Sequence, residues 1–346
     1  MRLCVGVLAL FATALLISQR GDNSAASATA RNFDIYSVSI SGKTKRNLTR
    51  SPLDELAPAV SPDGRRVVFV RATTRENWDL WIMRADGSDQ RQLTHTEDAE
   101  LDPVWSPDGR LIAFTTHARS SCPPSDCGDW LLWVMRPDGT GLRPIGREVG
   151  EGRYPRWSPD GKKLVFEAEI DSYGQATAIA VARVSGGSHL LVSGGSFHHP
   201  GWSPDGRWIS FDGLPEGGRF GVFAVKLDGQ SRRLLAGGGL LPEWSPAGGK
   251  IAFRSSSERA DVTAMSLRSR RRTRIGLADR FAWDRAGRRL ALFRSGRSIR
   301  IADSDGRRMR LVLRNPGAFE PAHVRPAPDM WSPDGRRLFY AAKPSG

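Results

Sequence analysis

One string recurs through the chain and constrains its fold more than any other feature. Its cleanest copy is Trp105-Ser106-Pro107-Asp108-Gly109, followed by Arg110-Leu111-Ile112-Ala113-Phe114. The string returns at 157–166, 202–211, 244–253 and 331–340. A first copy carries Val60 in the Trp place, and another keeps Trp283 and Gly287 but reads Asp284-Arg285-Ala286 between them. The turn glycines are then Gly64, Gly109, Gly161, Gly206, Gly248, Gly287 and Gly335, spaced 39 to 52 residues apart. A period of about 40–45 residues marks a four-stranded propeller blade.

The residue types explain the string. Ser opens a type I turn, Pro presets φ near −65° at the second position, and Gly closes the turn in the left-handed region. Asp tolerates the third position and can bond back to its own backbone. Such a turn joins two antiparallel strands, one ending at the Trp and the next starting at the Leu-x-x-Phe or Val-x-Phe residues. Apolar residues on both faces suit a strand held between neighbouring sheets.

A second half-unit alternates with the first: an apolar strand, a turn, and a shorter strand ending in Leu-Thr or a similar pair. Phe33–Val38 with Leu48-Thr49 is the first, and Leu80–Met83 with Asp86-Gly87 and Leu93-Thr94 the second. Further copies fall at 131–135 with Asp138-Gly139, 178–184, 220–227 with Asp228-Gly229, 262–267, and 299–302 with Asp305-Gly306. Asp-Gly is a favoured hairpin turn because both residues accept positive φ. The repeats begin on an outer half-unit and finish on an inner one. Seven blades therefore form only if the last inner half pairs with the first outer half. We expect an all-β propeller of seven four-stranded blades, its ring closed by pairing of the N- and C-terminal half-blades, which hides exposed strand edges. The unit at Trp283 is the least regular, so six blades is the alternative.

Residues 1–28 read as a signal peptide: Arg2, an apolar run over 3–17, and Ala26-Ser27-Ala28 as the cleavage site. The run is shorter than the ~20 residues that span a bilayer; an uncleaved anchor is the alternative. Residues 29–346 are then a single propeller domain in an exported protein. After cleavage only Cys122 and Cys127 remain, across Pro123-Pro124-Ser125-Asp126. A disulfide clipping that loop fits an oxidising compartment. The formal charge of +14 raises nucleic acid as a partner, but export and the spread of basic residues through turns argue against it. The dense run 268–274 holds five arginines and sits in an expected hairpin; a solvated hairpin is preferred there over a docking patch for anionic polymer or lipid headgroups.

The repeat string, alternating with an apolar strand, a D-G turn and an L-T end, resembles the repeat of the TolB propeller, itself a relative of the WD-repeat. The resemblance runs from Phe33 to Ala342. It implies an exported propeller that binds other macromolecules through its faces. TolB carries an α/β domain before its propeller, and the lack of room for one here weighs against a role in a Tol envelope complex.

The usual catalytic strings are missing: no G-x-S-x-G, HExxH, P-loop or CxxC. Asp303-Ser304-Asp305-Gly306 lacks the later Glu of a calcium loop and falls where other units turn. His198 and His199 are adjacent, and neighbours on a strand point to opposite faces, so both reach one metal only from a loop. We expect no metal and no cofactor. The loop entering each repeat is the remaining candidate surface. Three places before the repeat Trp, or Val60, stand Ala57, Asp102, Tyr154, His199, Leu241, Arg280 and Pro328. Glu97, Asp98, Glu100, Glu151, Arg153, Arg156, Glu243 and Glu320 lie in the same loops. Asp102, Tyr154, Arg156, His199, Glu243 and Arg280 are the binding-face candidates. The reading that follows is a monomeric, non-catalytic binder of a protein or envelope polymer. The alternative is a propeller enzyme of lyase or lactonase type acting on a sugar derivative.

Overall fold

The structure is a computed structural model, and it describes residues 32–73, 77–117, 130–170, 176–256, 260–319 and 330–343. The signal segment 1–28, Cys122, Cys127, Glu320 and Pro328 lie outside them.

Nearly every described element is a strand. β1 (Asp34–Ser39) and β2 (Lys45–Asn47) come first. A four-stranded sheet follows, with β3 (Glu55–Val60), β4 (Arg66–Ala72), β5 (Trp78–Arg84) and β6 (Arg91–Gln92) in sequence order. The next has β7 (Ala99–Trp105), β8 (Ile112–His117), β9 (Trp130–Met135) and β10 (Arg143–Ile145). An eight-stranded sheet joins two such sets at a single parallel bridge, Thr177 to Ser196. Its first set is β11 (Glu151–Trp157), β12 (Lys163–Glu169), β13 (Thr177–Arg183) and β14 (Ser188–Val192). Its second is β15 (Gly195–Trp202), β16 (Trp208–Pro215), β17 (Gly221–Lys226) and β18 (Arg233–Gly237). Then come β19 (Gly239–Trp244), β20 (Lys250–Ser255), β21 (Asp261–Ser266) and β22 (Arg272–Leu277). The irregular unit at Trp283 forms a full sheet too: β23 (Arg280–Trp283), β24 (Arg289–Arg294), β25 (Ser298–Asp303) and β26 (Arg310–Arg314). Finally β27 (Ala318–Phe319) and β28 (Arg337–Lys343) pair with the opening strands in the order β2-β1-β28-β27. The half-unit reading of the sequence places these strands well.

The turn string does what its chemistry dictates. In the second copy, Gly109 N–H donates to Ser106 O at 2.9 Å, with Gly109 at φ 71°. Ser106 Oγ donates to Asp108 Oδ1 at 2.6 Å and accepts from Leu111 N–H at 2.9 Å. Asp108 Oδ1 also accepts from Arg110 N–H at 3.0 Å. These bonds, the Ser106 hydroxyl first, hold the Asp108 carboxyl below its ordinary pKa. The Trp283 unit keeps the turn by another route. Asp284 accepts from both Arg288 and Arg289 N–H through Oδ1, taking the parts of Ser and Asp together, and from Arg289 Nε through Oδ2.

Successive sheets are tied by their tryptophans. Trp105 Nε1 donates to Ala59 O, Trp157 to Val104 O, and Trp202 to Arg156 O. Trp283 reaches Glu243 O and Trp331 reaches Ala282 O in the same way. Each acceptor is the residue just before the repeat Trp, or Val60, of the preceding unit. Trp244 breaks the series: its Nε1 is buried without a partner among the described residues, and the equivalent carbonyl, Gly201 O, accepts from Ser210 Oγ.

The core lies in slabs between sheets, because strand side chains alternate and both faces are covered. On β28, Phe339 and Ala341 pack with Val68, Val70 and Leu80 of the β3–β6 sheet. Leu338, Tyr340 and Ala342 pack on the other side with Phe293 and Ile299 of the β23–β26 sheet. The sheet of β1, β2, β27 and β28 is thus buried between the β3–β6 sheet and the β23–β26 sheet.

Candidate functional site

The sequence reading put the candidates in loops entering each repeat. The structure moves them onto the first strand of each sheet, where successive first strands touch. Asp102 lies on β7, Tyr154 and Arg156 on β11, His199 on β15, Glu243 on β19 and Arg280 on β23. Three places before the repeat residue the backbone bulges. Ala57, Asp102, Tyr154, His199 and Leu241 all take φ between 50° and 54°, and the register slips at each. Non-glycine residues adopt this left-handed conformation at a cost of order 1 kcal/mol or more. β23 pairs with β24 without a slip, so Arg280 belongs to a straight strand.

Burial separates the candidates. Asp102, Tyr154, His199 and Glu243 are half-buried, whereas Arg156 and Arg280 are buried. Arg156 Nη1 donates to Pro155 O at 3.2 Å and its carbonyl accepts from Trp202. Part of the Arg156 role is therefore structural. Arg153, beside Tyr154, reaches Glu169 Oε2 at 2.7 Å and lies 4.3 Å from the Trp130 ring centroid.

Sequence reasoning placed Glu100 in an entry loop and passed over Glu55, yet both are buried carboxylates on these strands. Glu55 and Glu100 occupy matching places, six residues after Thr49 and Thr94, and each accepts from that Thr hydroxyl. The Leu-Thr pair followed six residues later by Glu was the available signal. Glu55 also takes Arg71 Nε at 2.9 Å. Burial nonetheless raises its pKa to about 7, with Arg71 pulling the other way. Burial likewise raises Glu100 to about 8; bonds from Thr96 and Thr94 oppose this, while the neighbouring Asp79 carboxylate adds to it. Asp79 Oδ1 is itself buried with no partner among the described residues.

A second cluster surrounds the histidine pair. Glu167 on β12 accepts from His199 N–H through Oε1 at 2.6 Å, and its Oε2 lies 3.1 Å from His198 Nδ1. His198 Nε2 is 3.0 Å from Ser196 Oγ. His199 Nδ1 is 2.7 Å from Asp212 Oδ1, whose side chain is 1% exposed. The alternation rule assigned these histidines to opposite faces. The left-handed His199 overturns that, and the ring centroids stand 6.0 Å apart. Among the described residues no group of three or more His, Cys, Asp or Glu has the arrangement to hold a metal ion.

The family model PD40, the TolB beta propeller domain, matches residues 26–238. A TolB homolog from Chlorobium luteolum is 29% identical over 133 residues, which is 38% of this chain and 28% of that protein. The aligned stretch thus covers under a third of the curated relative. Among solved structures, a protein assigned as TolB from Agrobacterium tumefaciens superposes with a TM-score of 0.60 at 20% identity, covering 92% of this chain and 100% of that one. An oligogalacturonate lyase in complex with manganese gives 0.67 at 13% identity, covering 91% and 96%. A puromycin hydrolase gives 0.63 at 18% identity, covering 89% of this chain and 56% of its own. At these identities the structural likenesses speak for the fold alone.

Proposed function

The chain belongs to the TolB beta-propeller family, and on that premise we propose that it is an exported, non-catalytic propeller that binds a protein or a cell-envelope polymer. The observation that carries this reading is the repeated bulge. One backbone geometry recurs at Ala57, Asp102, Tyr154, His199 and Leu241, with five different side chains. The fold holds each of these positions in one conformation while its repeat string leaves the side chain open. Recognition residues commonly sit in such places, positioned by a rigid scaffold.

The ring proposed to hold this array has seven blades, closed between the chain's ends. Supporting it, β1 pairs with β28 from Asp34–Ala342 to Ser39–Arg337. The first and last turns also meet: a Cβ added at Gly64 would come within 2.8 Å of Pro333. Gly109 faces Pro62, Gly161 faces Pro107 and Gly206 faces Pro159 in the same manner. Export rests on residues 1–28, and the monomeric state and the Cys122–Cys127 disulfide remain part of this proposal.

Site-specific crosslinking tests the binding face. A photo-reactive residue at position 154 should trap a partner in envelope extract, whereas one at the exposed hairpin residue Asp86 should not. Capture from 86 alone would place the surface elsewhere.

The enzyme alternative draws on the chain Glu167–His198–Ser196. It has the order of an orienting carboxylate, a base and a hydroxyl. Turnover of a sugar lactone that disappears in Ser196→Ala would favour it.

A further inference from the structure

Basic residues occur in turns throughout the chain, but most of its net positive charge falls in one stretch of sequence. Between 268 and 314 the chain has sixteen arginines against four aspartates, with no lysine and no glutamate. That balance of +12 accounts for nearly all of the formal +14. A proteome-wide arginine bias would spread the excess along the chain, so it does not explain this clustering.

Nine of these arginines, at 268, 270–272, 274, 307, 308, 310 and 314, lie on the hairpins that end in β22 and β26, and the other seven lie on β23–β25 and their turns. β18, β22 and β26 are the outer edges of three successive four-stranded sets. Arg270 Nη2 donates to Leu234 O at 3.1 Å, tying the β22 hairpin to β18. A Cβ on Gly276 would meet Met309 Cε at 2.7 Å, so β22 also touches the β26 hairpin. The three edges form a continuous rim. Arg233, Arg271, Arg272, Arg307, Arg308 and Arg310 are all exposed along it. A cavity of about 330 Å³ opens between the last two hairpins, lined by Lys250, Arg271, Arg307, Thr273, Ser304 and Asp305, whose Oδ2 lies 3.7 Å from Arg307 Nε.

Charge on an edge strand has an ordinary use, which is to block pairing with another chain. Within the strands the other outer edges carry similar numbers, Lys45 and Arg46 on β2, Arg91 on β6 and Arg143 on β10, with none on β14; the rim differs in the five arginines of the 268–274 hairpin and in having three basic edges side by side. The rim also carries apolar side chains that edge protection does not need. Leu234 is 48% exposed, Met309 39% and Leu311 41%. Three of the eight exposed large hydrophobics among the described residues thus stand on this rim, while Leu142 beside β10 and Leu190 on β14 are similarly exposed on other edges.

Cations that meet phosphate headgroups, interleaved with apolar side chains that enter the acyl boundary, fit an anionic bilayer surface. A soluble polyanion would use the arginines but leave the leucines and the methionine without a role. We propose that the β18–β22–β26 rim docks on anionic lipid membranes, with the Lys250–Arg271–Arg307 cavity receiving a phosphate headgroup. Arginine suits this role because its planar fork matches phosphate oxygens. The rim lies on outer edge strands, away from the bulged first strands, so failure of one reading leaves the other standing.

The test is co-sedimentation of the full chain with vesicles of phosphatidylglycerol and phosphatidylcholine, or of phosphatidylcholine alone. The readout is the ratio of the two affinities, so attraction of the N-terminal apolar run to any bilayer cancels. Arg271→Ser, Arg272→Ser and Arg310→Ser together should lower the ratio by roughly a hundredfold, at about 1 kcal/mol per surface cation. A charge-matched control, Arg84→Ser, Arg110→Ser and Arg143→Ser, should leave most of the ratio intact. Leu234→Ser with Leu311→Ser should weaken binding to anionic vesicles while net charge is unchanged. Equal affinity for both vesicles, or equal loss in the rim and control variants, overturns the proposal. So does tighter, rim-dependent binding to heparin or duplex DNA than to vesicles, which would make the partner a soluble polymer.

Discussion

Trp105 Nε1 donates to the carbonyl of Ala59, 3.0 Å away and 46 residues earlier in the chain. That bond is the unit of inter-sheet cohesion, because the same donor and acceptor places recur at Trp157, Trp202, Trp283 and Trp331. A Trp in the repeat string therefore contributes twice, as buried apolar area and as a tie to the preceding sheet.

The tie can be weighed against an internal control. Trp105→Phe keeps most of the apolar ring but strands a buried carbonyl, at a cost of about 1–3 kcal/mol. Trp244→Phe removes an indole N–H that lacks a partner among the described residues. It should therefore cost clearly less. Urea unfolding of the two variants measures the difference, and equal losses would show that the bond adds nothing beyond ring burial.

Stability should fall as pH rises through neutrality. Glu100 has a folded-state pKa raised to about 8, against an ordinary value of 4.5. The folded state thus holds a proton that the unfolded state has released. The resulting stability is fully present below about pH 4.5 and is lost as pH climbs through about 8. Glu55 acts in the same direction over a narrower window, ending near 7. Glu100→Gln imitates the protonated form and should flatten the decline in thermal midpoint between pH 5 and 8. An unchanged slope would remove Glu100 as its source.

Removing residues 331–346 takes away β28, the partner of β1 along six residue pairs. It also takes away Phe339 and Tyr340, both 1% exposed and packed in different slabs. The shortened chain should lose cooperative unfolding and aggregate through bared edges. A sharp transition at the full-length midpoint would contradict closure through the chain's ends.

Much of this fold is legible in the sequence because its turns are chemical. Ser, Pro, Asp and Gly each have a local reason for their place, and Asp-Gly marks the alternate hairpins at Gly87, Gly139, Gly229 and Gly306. The site is less legible, since its geometry departs from local rules. Period-two alternation fails at His199, where a bulge brings two imidazoles near each other. Nothing in the residue type at Tyr154 or Leu241 announces a left-handed backbone; only their shared offset from the repeat Trp does. Glu100 looked like a loop acid, yet it is fully buried, a state that depends on Thr94, Thr96 and Asp79 folding around it.

Binding through the bulged strands can be tested with variants that keep the backbone. Asn accepts a left-handed conformation, so Asp102→Asn and Tyr154→Asn alter side chains without reshaping the bulge. His199 is left in place, because replacing it would strip a partner from buried Asp212. Combined with Glu243→Gln, the two changes should shift the thermal midpoint by only a few degrees. The decisive measurement is partner capture from envelope extract by this triple variant beside the parent protein. Capture reduced at least about tenfold, equivalent to about 1.4 kcal/mol, with unfolding nearly unchanged, is the expected result. Full capture by a correctly folded variant would contradict recognition through this face.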